Sequence, residues 1–397
     1  TPNNYIWYSG KLWRAVSIDP SDNSVKLVTE WNISAMPYDN TSSAFSTSHV
    51  KEWLTDESVD GFLGNLREPE KFIKMNSTWN ATMTTSTSKP AKTTMVTSPV
   101  GLINRYEFTM SYKETTIENG YLKNGQFFFL TPSSSTNIYI FGSNNTVSPY
   151  NVTSSTTFGV RPAINLKGGI KAVDGTGTES DPYRLEGDND TSLNGTLLNT
   201  RYSGEYIRFG TGENNLYRIV SHETPGLTKI TSAIPLKNNG EFVTSNFGSS
   251  IYYSSTNTVG SFLNNDYLNP SNGYLTSEQV NMIEDYTTWY IGIVGWGTQN
   301  YRGAKYNPDT SNTLISVQTN AKVGLLRLGE LLSAQQDYAN NITDYWLLTR
   351  ITGVTTNVYA IRISGYLGSY AIDELYGIRP FMNLKANIII TGGEGTK

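Results

Sequence analysis

The chain has 397 residues, of which 37% are hydrophobic and 16% charged, with a formal net charge of −4. It contains no cysteine and two isolated histidines, His49 and His222, which excludes disulfides, thiolate ligands and cysteine nucleophiles and leaves no spacing for a zinc site. No basic block offers a face for nucleic-acid phosphates, and no apolar run approaches the ~18 residues of a membrane span.

In chain order, residues 6–18 alternate apolar and polar side chains and predict strand. Val50, Trp53 and Leu54 have helical spacing. Residues 76–98 and 143–157 are polar and read as long loops; between them the runs 126–130 and 137–141 suit buried strands. Alternation returns at 217–220 and 229–234, and helical spacing at Val259, Phe262 and Leu263. Thr276-Ser277-Glu278-Gln279 is a capping-box pattern, with Val280 and Ile283 on one helix face behind it. A third polar loop is expected at 297–322, then a helix over 328–335 on Leu328, Leu331 and Leu332, and a strand at 358–363. Few short helices beside antiparallel strands make the fold class α+β.

The strongest signal is a repeat. Residues 159–167 read Gly-Val-Arg-Pro-Ala-Ile-Asn-Leu-Lys and residues 377–385 read Gly-Ile-Arg-Pro-Phe-Met-Asn-Leu-Lys. Other anchors recur in the same order: Leu12-Trp13-Arg14 with Leu216-Tyr217-Arg218, Val25-Lys26-Leu27 with Thr228-Lys229-Ile230, Thr78-Trp79 with Thr288-Trp289, and Val100-Gly101-Leu102-Ile103 with Val323-Gly324-Leu325-Leu326. A tandem duplication follows, with domains at 1–190 and 191–397. Positions that both copies keep are read as architecture, and unshared positions as the place for a specific function. After its Gly-rich turn the first copy continues with Glu-Ser-Asp-Pro-Tyr-Arg-Leu, whereas the second reaches Lys397, so the natural chain is expected to run on.

Together these pieces, with Phe262-Leu263-Asn264-Asn265-Asp266-Tyr267-Leu268, Tyr345-Trp346-Leu347-Leu348-Thr349 and the closing Tyr376-Gly377-Ile378-Arg379-Pro380, resemble an uncharacterised domain family of exported proteins from Firmicutes and their relatives. That family is similar to a branch of the C-type-lectin-like fold, which also serves sulfatase-modifying (formylglycine-generating) enzymes and a phage tropism determinant. The resemblance covers nearly all of both halves. It implies two tandem C-type-lectin-like domains, each a twisted antiparallel sheet with two or three short helices and long loops displayed for recognition. The calcium-site triplets of sugar-binding lectins (Glu-Pro-Asn, Gln-Pro-Asp, Trp-Asn-Asp) are missing, and so are the cysteines of the formylglycine-generating enzymes. Neither a lectin-type calcium site nor that enzymatic chemistry is expected.

Among individual residues, Arg161 and Arg379 of the nonapeptides and the repeated acids Glu107 and Glu330 suggest a structural Arg–carboxylate pair in each unit, Arg161 with Glu107 and Arg379 with Glu330. Trp79 and Trp289, also shared, read as core. Trp296, Tyr301, Arg302 and Tyr306 lie in a segment without counterpart in the first copy and are the candidate ligand platform. No catalytic constellation, metal site or cofactor motif emerges. The expectation is a non-enzymatic bacterial surface protein, extracellular, that recognises or adheres to a surface carbohydrate or protein ligand. The alternative is a structural head or subunit of a pilus-like filament, whose partners would be other subunits.

Overall fold

The computed structural model describes residues 2–58, 61–112, 117–153, 158–188, 191–294, 318–333, 343–351, 353–362 and 367–397. The chain is mixed α+β and sheet-rich, with several small sheets and few short helices. Its described residues divide into two compact units that meet in sequence at Thr191 and Ser192. Trp296, Tyr301, Arg302 and Tyr306 lie outside the described residues.

In unit one, the larger sheet runs in spatial order β13 (Ala172–Asp174), β14 (Tyr183–Leu185), β1 (Tyr5–Tyr8), β2 (Lys11–Ile18), β3 (Val25–Thr29), β12 (Ala163–Leu166) and β7 (Val100–Gly101). The alternating run at the start is therefore two strands. Ser9 and Gly10 both take positive φ, 52° and 75°, the turn that matches the twist of a two-residue hairpin. A second sheet is ordered β10 (Val147–Asn151), β9 (Asn137–Phe141), β8 (Phe127–Pro132), β11 (Phe158–Val160) and β4 (Ser34–Met36), and β5 (Thr78–Asn80) pairs with β6 (Met95–Thr97). Helices α1 (His49–Thr55), α2 (Pro69–Phe72) and α3 (Arg105–Thr109) accompany the sheets. All three stretches expected to be loops contain a strand: β5 and β6 lie within 76–98, β10 lies within 143–157, and in unit two residues 318–321 of the stretch 297–322 are a strand. β10 is an edge strand of mostly polar, partly exposed residues, so it lacks the one-sided apolar pattern that marks a strand in sequence. Trp13, Trp53 and Trp79 are fully buried, and Phe108, Phe127, Phe129 and Phe141 form a ring cluster with centroids 5.1–6.0 Å apart.

In unit two, a sheet runs β15 (Tyr206–Arg208), β16 (Leu216–Ser221), β17 (Thr228–Ser232) and β28 (Phe381–Leu384). A second runs β20 (Thr244–Ser245), β27 (Tyr376–Gly377), β24 (Tyr345–Ile351), β25 (Asn357–Ile361) and β26 (Leu367–Ala371), with β22 (Ile293–Val294) parallel to β24. β21 (Thr287–Tyr290) pairs with β23 (Gln318–Ala321), and β18 (Lys237–Asn238) with β19 (Glu241–Phe242). Helices are α4 (Thr258–Ser261), α5 (Ser277–Met282) and α6 (Leu328–Ser333). α5 begins on the Thr276/Gln279 capping box, with both of its hydrogen bonds made.

The repeated words of the sequence occupy the same registers in both units. Lys26 pairs with Asn165 across β3 and β12, and Lys229 with Asn383 across β17 and β28. Gly159 pairs with Phe127 in parallel, and Gly377 with Tyr345. Ile73 bridges Leu166, and Ile283 bridges Leu384. A slip of one residue would turn each strand's apolar face outward, so shared registers place each shared side chain on the same face in both units.

Candidate functional site

The shared registers assemble one motif twice. Trp79 donates its indole N–H to the Ser98 carbonyl (2.7 Å), and Trp289 to Ala321 (3.0 Å). Each indole lies flat on a glycine, Gly101 or Gly324, and an ammonium stands over each ring, Lys26 at 5.2 Å and Lys229 at 5.4 Å. That ammonium is ion-paired with the helix acid, Lys26 with Glu107 and Lys229 with Glu330. The same acid accepts the backbone N–H at the start of its helix: Asn104 to Glu107 (2.8 Å), Arg327 to Glu330 (3.2 Å). One carboxylate thus caps a helix and neutralises a strand lysine at once.

This arrangement corrects the expected Arg161–Glu107 and Arg379–Glu330 pairs. Arg161 donates instead to the carbonyls of Thr29 (2.8 Å), Leu122 (2.5 Å) and Asn124 (3.4 Å), and Arg379 to Ser232 (2.8 and 3.1 Å), Ala233 (3.4 Å) and the Tyr345 hydroxyl (3.3 Å). Both acids are already engaged by a lysine and a helix N-terminus, and a planar guanidinium suits converging carbonyls. Burial pulls Arg161 down to about 10, opposed by the carboxylate of Glu30; Arg379 is lowered by burial as well, with Tyr345 opposing. All four side chains are engaged within their own unit, with different partners from those expected.

Unit two adds four side chains around the shared motif where unit one has others. Glu223, on the hairpin joining β16 to β17, pairs with Lys229 at 3.1 Å and with Arg327 at 2.8 Å. At the corresponding place in unit one, Asp19 faces solvent and bonds to Ser21 of its own turn. Arg327 replaces Asn104, whose side chain caps α3. Tyr286 and Tyr290, three residues before Trp289 and one after, replace Asn76 and Asn80. These residues, with Lys229, Trp289, Glu330, Leu348 and Asn383, line a cleft of about 340 Å³. Tyr286 is 81% exposed at its rim.

The electrostatics of the cleft follow from enclosure. Burial would raise the Glu223 carboxyl, but Lys229 and Arg327 outweigh it and hold the group well below the usual carboxylate range. Glu330 is raised, first by burial and then by the Glu223 charge, with Lys229 opposing. Burial would lower Lys229, but Glu330 and Glu223 more than restore it, and it stays protonated. Two acids and two bases cancel formally, so the floor offers a carboxylate acceptor beside a guanidinium donor without net charge.

Neither Lys229 nor the four unshared residues are among those the sequence singles out as functional. The signal was available in the columns beside the anchors: Asn76 and Asn80 against Tyr286 and Tyr290 around the shared tryptophan, and Asn104 against Arg327 just after Val-Gly-Leu-Leu. Among the described residues, no group of three or more His, Asp or Glu side chains is placed to hold a metal ion, and no helix is long and apolar enough to cross a membrane. In comparisons with known proteins, no family model, no curated protein and no solved structure matches the chain.

Proposed function

We propose that the chain is an extracellular bacterial recognition protein, built as two tandem C-type-lectin-like units, and that the cleft of unit two binds a carbohydrate on a partner surface. The observation that carries this reading is the convergence on one cleft of Glu223, Tyr286, Tyr290 and Arg327, which stand where unit one has Asp19, Asn76, Asn80 and Asn104. A charge-balanced floor disfavours a charged ligand, which would have to break a pair, and also an apolar one, which would leave the charges unsolvated. A sugar ring meets both conditions: its hydroxyls both donate and accept, and its C–H face packs on tyrosine. Binding fits better than catalysis, because Lys229 and Glu330 recur as Lys26 and Glu107 in the unit without the tyrosines.

The test is a printed panel of neutral and acidic oligosaccharides probed with the whole chain, followed by titration of the best ligand. Replacing Tyr286 by the residue of unit one (Tyr286→Asn) should weaken binding about tenfold with no change in thermal unfolding, because the side chain is exposed. Tyr290→Asn should act in the same direction. Undiminished binding by both variants, or a chain that binds no member of the panel, would remove this reading.

A further inference from the structure

Every residue from Tyr286 to Tyr290 lines the cleft of unit two, and all but the first belong to strand β21. Exposure alternates along the stretch. Tyr286 and Thr288 are exposed and Tyr290 is half-buried, while Thr287 and Trp289 between them are buried. Extended chain sends successive side chains to opposite faces, so Tyr286, Thr288 and Tyr290 share the outer face and Thr287 and Trp289 point to the core. At the usual strand rise the two tyrosines stand ~13 Å apart, with Thr288 midway.

The position between the rings is polar. Thr288 lies directly opposite Asn320 of β23, and its hydroxyl donates to Asn320 Oδ1 at 3.0 Å. Asn320 is itself exposed. The hydroxyl keeps its lone pairs to accept and the amide keeps its N–H groups to donate. The strip along β21 therefore reads aromatic, donor and acceptor, aromatic. Unit one builds the same ribbon from β5 and β6, with Thr78 in the place of Thr288 and opposite Thr97. There the flanking residues are Asn76 and Asn80. The threonine is shared, and the pair of rings on either side of it is not.

A pyranose is about as wide as a phenol ring, so one sugar covers one tyrosine. A ligand recognised through a single terminal sugar would leave the other ring in water. A chain of linked sugars lying along the strand engages both, and the hydroxyls of the sugars between them meet Thr288 and Asn320. We infer that the cleft takes an internal stretch of a linear, neutral polysaccharide, laid along β21 with one sugar stacked on each tyrosine. This rests on the cleft being a carbohydrate site at all, and adds the form of the ligand: many linked rings bound along their length, not one chain end.

The probes are linear neutral oligomers of β-1,4-linked glucose, N-acetylglucosamine and mannose, from one ring to six, titrated calorimetrically into the whole chain. In the series that binds, the dissociation constant should fall at least about tenfold from the single sugar to the length that reaches both tyrosines, and then level off. Tyr286→Asn should level off at a shorter length and lose about tenfold against the long members only. The double variant with Tyr290→Asn should lose about a hundredfold against them, because side chains this far apart act additively. Unchanged thermal unfolding of each variant excludes a folding effect. The inference is overturned if a single sugar binds as tightly as the longest oligomer, or if Tyr286→Asn weakens every length equally; in either case the cleft remains a carbohydrate site. It also falls if none of the three series binds while another member of the printed panel does. A chain that binds neither the oligomers nor the panel removes the carbohydrate reading itself.

Discussion

A methyl group on Gly101 would lie 2.3 Å from Cδ2 of Trp79, and one on Gly324 2.4 Å from Cδ2 of Trp289. Neither glycine has a positive φ, so backbone freedom is not what they supply. They supply a flat surface on which an indole rests while its other face meets a lysine. The ring cannot retreat easily, because its N–H is bonded to a carbonyl on the neighbouring strand or turn. Gly101→Ala should therefore destabilise unit one by about 1–3 kcal/mol, the usual cost of overpacking a filled core, measured as a lower denaturation midpoint at unchanged slope. An unchanged midpoint would mean that the indole has room the packing does not suggest. The same logic makes the Val-Gly-Leu word and the Thr-Trp word one feature: the sequence shows two separate anchors, and the fold presses one onto the other.

Between elements, the hairpin of β16 and β17 is tied to helix α6 through Glu223, which reaches both Lys229 on the strand and Arg327 at the helix start. Its carboxyl is depressed in the folded chain, and this sets the sign of a pH effect. The stabilisation is fully present above the ordinary carboxylate range near ~4.3 and is lost as pH falls through the lower folded value. Glu223→Gln should thus cost about 2 kcal/mol near neutrality, and the gap in melting temperature between the variant and the parent should close as pH falls from about 4 towards 2. Part of the cost is returned because the variant relieves the repulsion that raises Glu330. A gap that stays constant across that range would show that Glu223 contributes through packing and not charge. Elements differ in how far sequence announces them. The α5 capping box, the β1–β2 alternation and the aromatic run of β8 are local patterns, and each is found where the pattern puts it. β5, β6 and β10 are short or polar, and exist because a partner strand is there to pair with. The ion pairs were the least legible: Arg161 and Lys26 both lie in repeated words, and which of them meets Glu107 depends on the sheet face each side chain leaves from. That is fixed by the pairing of Lys26 with Asn165, a contact across more than a hundred residues.

On the scale of the whole molecule, the duplication makes unit one an internal control for unit two. Each unit contains its own buried core and its own copy of the Lys–Glu–Trp motif, at a size at which single domains commonly fold alone. Around the shared motif they differ at the cleft residues Glu223, Tyr286, Tyr290 and Arg327. If recognition resides in the unshared positions, it should travel with one half. Fragments 1–191 and 192–397, produced separately, should each show a cooperative calorimetric transition. Only the second should keep the carbohydrate binding of the whole chain, with a dissociation constant within about threefold. Binding retained by the first fragment would move the site to features both units share, and the comparison between copies would then no longer indicate where function lies. A second fragment that folds cooperatively yet does not bind would separate folding from recognition and place the ligand site outside the cleft.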